Sequence, residues 1–161
     1  MNMLRWIDQI LREQEENGRK NVKAKKKLVE DLKHDYYKIL ESRNMLVREG
    51  ENVAYPQLKS DIHQLISEKN NHAQILKKLI TELGGKVENE TEILGENFAR
   101  GHFKEIFMLD TELSEWLTEH ANFAEDNGYY EVSDELRSIR DQHVRFNEQL
   151  ERIIMKINTE I

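Results

Sequence analysis

Residues 67–85 read SEKNNHAQILKKLITELGG. Extended back to Ile62, the stretch places Ile62, Leu65, Ile66, His72, Ala73, Leu76, Leu79, Ile80 and Leu83 at three- and four-residue steps. That is the period of one face of an α-helix, with lysine, glutamate and asparagine filling the other face. Pro56 precedes the stripe, where a proline suits a first helical turn, and Gly84-Gly85 follows it, where glycine ends a helix. The pattern predicts a helix over 57–83.

Three more stripes of this kind lie outward from it. One covers 22–48 through Leu28, Leu32, Tyr36, Ile39, Leu40 and Leu46, and ends near Gly50. Another covers 103–125 through Ile106, Phe107, Leu109, Leu113, Trp116, Leu117 and His120, and turns at Asp126-Asn127-Gly128. The last covers 130–158 through Leu136, Ile139, His143, Phe146, Leu150, Ile153 and Ile154. Ahead of these, Met3, Leu4, Ile7, Ile10 and Leu11 predict a separate short amphipathic helix within residues 1–17, broken around Gly18.

The connections set the topology. Short joins at 49–57 and 126–130 make two antiparallel helical hairpins. The join from Gly84 to His102 has about 19 residues and can reach about 60 Å when extended, against roughly 37 Å for a helix of about 25 residues. It can therefore cross the whole length of a bundle. The expected architecture is an all-α four-helix bundle over 22–158, part of a single domain spanning 1–161.

Composition narrows the chemistry. The 161 residues include no cysteine, which excludes disulfides, thiolate metal sites and a cysteine nucleophile. No apolar run reaches the roughly 20 residues of a membrane span, and charges interrupt the N-terminus where a secretory signal needs an apolar core. A cytoplasmic location is the expectation. The net charge is −7, yet residues 19–27, RKNVKAKKK, carry six positive charges and no negative one. No aromatic residue is interleaved with them, so they read as a solvated helix face, and nucleic acid is disfavoured as a partner. There is no Ser/His/Asp constellation, phosphate-cradling glycine loop or His-Glu-x-x-His motif.

The chain also repeats itself. An offset of 71 residues lays Leu65, Ser67 and His72 on Leu136, Ser138 and His143, and sets Tyr36 against Phe107 and Glu41 against Glu112. The repeat agrees with the two-hairpin layout. On these residues, and on the 67–85 phrase, the chain over about 25–158 resembles the ferritin-like superfamily, its rubrerythrin-like branch in particular. The resemblance implies Glu-x-x-His on the second and fourth helices and one glutamate on each of the first and third. Together these would hold two metal ions that activate oxygen or peroxide, or oxidise iron.

The histidines expected from that resemblance are present as His72 and His143, but Lys69 and Arg140 stand three residues before them. A fixed cation there repels a divalent ion. The candidate central cluster is therefore Lys69, His72, Arg140, His143 and Glu112, joined by ion pairs or holding a small anion, with Asp35, Glu41, Asp110 and Glu115 as further carboxylate partners. The leading expectation is a non-catalytic binding or structural module that forms a homo-oligomer, has room for a protein partner and needs no cofactor. The alternative is a metal-dependent redox or iron-handling protein, with His72, Glu68 and His143 as ligands of iron or another divalent metal.

Overall fold

The computed structural model describes residues 3–88 and 102–159. Among these residues there are four helices: α1 (Met3–Glu51), α2 (Pro56–Glu82), α3 (Phe103–Asp126) and α4 (Tyr130–Thr159). No strand occurs among the described residues. The chain is an all-α four-helix bundle.

The expected break at Gly18 is absent, and the separate N-terminal helix is instead the first part of α1. A single glycine costs a helix only about 1 kcal/mol. Glu15 and Glu16 stand four residues before Arg19 and Lys20, the favourable spacing and order of charges. Among the described residues positive φ is confined to Gly84 and Gly128, so Gly18 keeps the helical backbone. From Met3 to Lys23 every side chain is exposed except the half-buried Ile10, and burial begins at Ala24. This part of α1 stands as an arm outside the bundle core. Leu4 (70% exposed), Ile7 (43%) and Leu11 (52%) therefore stand outside the core.

The two glycine stops behave as their sequence suggests. After α2, Gly84 N–H donates to Thr81 C=O and Gly85 N–H to Ile80 C=O, both at 2.9 Å. After α3, Gly128 N–H donates to Glu125 C=O at 3.1 Å and Tyr129 N–H to Ala124 C=O at 2.8 Å. Both are Schellman closures, with the glycine at φ +84°.

Helices α1 and α2 pair, as do α3 and α4, while α1 also packs on α3 and α2 on α4. Two apolar clusters fill the interior. One holds Leu28, Leu32 and Ile39 of α1, Leu76 and Ile80 of α2, Leu113, Leu117 and Ala121 of α3, and Leu136 and Ile139 of α4. The other holds Met45, Leu46, Ile62, Leu65, Ile106, Leu150 and Ile153. The C-terminal half of α2 thus lies in the first cluster and the start of α3 in the second, so their join connects opposite ends of the bundle. Its first residues already run along α1. Gly85 sits against Val29, and Glu88 N–H donates to Tyr37 Oη at 2.9 Å. The remainder of the crossover, 89–101, lies outside the described residues.

Candidate functional site

A polar layer separates the two apolar clusters. Ser42 of α1, Lys69 and His72 of α2, Asp110 of α3 and His143 of α4 are all buried there. Asp110 organises the layer. Lys69 Nζ donates to both its carboxylate oxygens, at 2.9 and 2.8 Å, and Ser42 Oγ donates to Oδ1 at 2.6 Å. His143 Nε2 lies 3.3 Å from the same Oδ1, near enough for charge attraction but without a hydrogen bond. Burial by itself would raise the Asp110 carboxyl. The Lys69 and His143 charges and the Lys69 hydrogen bonds outweigh it and hold that carboxyl well below the ordinary range.

His72 Nε2–H donates to Gln142 Oε1 at 2.8 Å, while its buried Nδ1 has no hydrogen-bond partner. Desolvation pushes this imidazole down to about 4, helped by the His143 and Lys69 charges and opposed by Gln142 and Asp110. His72 therefore stays neutral near pH 7.

The other expected members of the cluster lie elsewhere. Arg140 is at the bundle edge, its guanidinium on the adjacent Asp141 at 2.9 Å, because a long side chain at a stripe margin can reach water. Glu112 is exposed on α3, and Glu68 is half-buried on α2. Glu68, His72 and His143 do not bring three ligand atoms within 4.8 Å of one another. The centre thus offers one carboxylate, two imidazoles and an ammonium. A pair of bridged divalent ions needs several carboxylates, and the Lys69 ammonium already occupies both oxygens of the one present. The donor set does not fit such a pair.

A second polar cluster lies between α1 and α3. His120 Nδ1–H donates to Asp35 Oδ2 at 2.6 Å, and His34 Nδ1 lies 3.2 Å from Asp35 Oδ1. Asp31 Oδ1 is 3.7 Å from His120 Nε2. Burial opposes a charged His120, yet the Asp35 hydrogen bond, the Asp35 charge and the Asp31 charge raise its pKa above the ordinary value. The sequence offers Asp35 as a possible ion-pair partner, but His34 and His120 lie far apart along the chain and share no metal-ligand spacing. The available signal was a carboxylate on the buried stripe, between Leu32, Tyr36 and Ile39.

The fold is that of a ferritin-like four-helix bundle. Solved structures agree. A crystal structure of a Xanthomonas campestris protein superimposes with a TM-score of 0.74 at 17% identity, covering 86% of this chain and 94% of that one. Dps from Thermosynechococcus elongatus gives 0.71 at 16% identity, with 83% and 94% covered. A Bacillus anthracis structure described as ferritin-like, diiron-carboxylate proteins gives 0.67 at 19%, with 81% and 96% covered. No protein-family profile matches the chain, and no curated protein matches its sequence.

Proposed function

We propose that the chain is a non-catalytic ferritin-like bundle, a binding or structural module that self-associates, with the ancestral di-metal position given over to an ion pair. The observation that carries this reading is Lys69 Nζ seated on both oxygens of the buried Asp110. An ion arriving there would have to displace a fixed cation from a desolvated carboxylate, at a cost of several kcal/mol. Self-association rests on the exposed Leu4, Trp6, Ile7 and Leu11 of the α1 arm, an apolar stripe suited to a second copy. In the described residues no helix is long and apolar enough to cross a membrane.

A second reading, a di-iron or single-metal redox or iron-handling protein, is favoured by the likeness to the Bacillus anthracis diiron-carboxylate structure. One measurement separates the two. Chelator-stripped protein is given ferrous iron under air while bound iron and dissolved oxygen are followed. The ion-pair reading expects no oxygen uptake and no iron at His72 or His143. Two iron equivalents per chain with oxygen consumed would establish the second reading instead.

A further inference from the structure

From the seam between α1 and α3 we infer that His34, Asp35 and His120 form a mononuclear site for a divalent first-row transition ion, with zinc or ferrous iron as the type. The inference rests on different residues from the ion pair at the bundle centre.

Three observations carry it. The first is the donor set. One atom from each of His34, Asp35 and His120 lies within 4.8 Å of the other two. Two imidazoles and a carboxylate are the donors of open transition-metal sites, whereas magnesium and calcium select oxygen. Ligands of a tetrahedral ion with bonds of about 2.0–2.1 Å stand roughly 3.4 Å apart. His34 Nδ1 and Asp35 Oδ1 are already 3.2 Å apart, and the 2.6 Å contact of His120 with Asp35 needs only a small opening.

The second is charge. Asp35 is fully buried, and its two oxygens each face an imidazole. Lys27, whose charge also bears on His120, is held by Asp31 at 2.9 Å and lies over the Phe123 ring. A divalent ion seated between the two rings would bring positive charge to this buried carboxylate.

The third is the surround. Trp116 meets the His34 ring edge-to-face with centroids 4.4 Å apart, which fixes the imidazole plane. The His34 side chain is 38% exposed, so the site opens to solvent on one side, leaving room for water as a further ligand. Asp31 stands behind His120 as an outer oxygen.

The test is calorimetric titration of chelator-stripped protein with Zn²⁺, Co²⁺ and Mg²⁺, joined to NMR of the imidazole resonances. One Zn²⁺ or Co²⁺ should bind per chain, and Mg²⁺ should not compete. The His34 and His120 resonances should shift. His34→Ala removes a partly exposed ring that the core does not need, and should weaken Zn²⁺ binding at least tenfold, roughly the factor even outer-shell changes produce. His120→Asn should weaken it further. Absence of binding, unchanged affinity in folded His34→Ala, or shifts confined to the exposed His63 and His102 would each overturn the site. Zn²⁺ shifting His72 and His143 instead would place the ion at the bundle centre and sink this inference and the ion-pair reading together.

Discussion

Lys69 is a lysine at a core position, with 1% of its surface exposed. It is tolerated because Asp110 takes its charge at two contacts and Ser42, small enough to let the carboxylate approach, adds a third hydrogen bond. Lys69→Met leaves Asp110 buried with its main partner gone and should cost about 3–5 kcal/mol in urea unfolding. Adding Asp110→Leu should recover most of that loss, since an apolar pair of similar volume is often neutral or stabilising. Equal losses in the single and double variants would deny the coupling. The histidines set the pH dependence. His72 has a folded pKa of about 4 against about 6.5 unfolded, so its contribution is full above 6.5 and falls by roughly 3 kcal/mol as the pH drops to 4. His120 is raised in the fold, so its contribution is full below about 6.5 and is lost as the pH rises through its folded value. With chelator present, His72→Gln should flatten the acid limb of stability against pH, and His120→Asn the alkaline limb.

At the level of elements, glycines with similar surroundings in sequence carry opposite expectations. A Cβ at Gly85 would stand 2.7 Å from Val29 Cγ1 and 2.9 Å from Ile80 Cγ2. Gly85→Ala should therefore destabilise by about 1–3 kcal/mol, by forcing α1 away from the end of α2. A Cβ at Gly18 meets nothing within 4 Å, and the backbone there is helical. Gly18→Ala should raise helicity and stabilise α1 by up to about 1 kcal/mol. Circular dichroism and thermal unfolding of the two variants check both signs. A loss in Gly18→Ala would show that α1 does not run unbroken through residue 18.

For the whole molecule, the arm and the bundle are energetically separate. Residues 3–17 carry only exposed or half-buried side chains, so removing residues 1–17 should shift the bundle's own unfolding little. If the arm joins copies, as proposed, the same deletion should lower the mass measured by light scattering. Unchanged mass would remove the arm from any assembly interface. Charge points the same way. Residues 19–27 carry +6, which leaves −13 on the remainder of the chain, so raised salt should weaken an association in which the base of the arm meets an acidic face.

By itself the sequence determined the four helices, their ends apart from the start of α1, and their pairing. Each rests on local physics: the 3.6-residue stripe, the left-handed glycine after α2 and α3, and a join too long for a hairpin. It also placed His72 and His143 on buried faces, because a stripe decides which way a residue points. Gly18 was misjudged as a break because the cost of one glycine is set against the whole helix, which no local window includes. The partners at the centre were a tertiary decision. Lys69 and Arg140 are related by the 71-residue offset, yet one is buried on Asp110 and the other sits at the edge on Asp141. The repeat partner of Asp110 is Ile39, so only one half of the bundle supplies a carboxylate at that level. The meeting of His34 and Asp35 with His120, some 85 residues away, was likewise invisible to spacing. Helix periodicity says which face a side chain occupies, and only the packing of α1 on α3 says what stands opposite it.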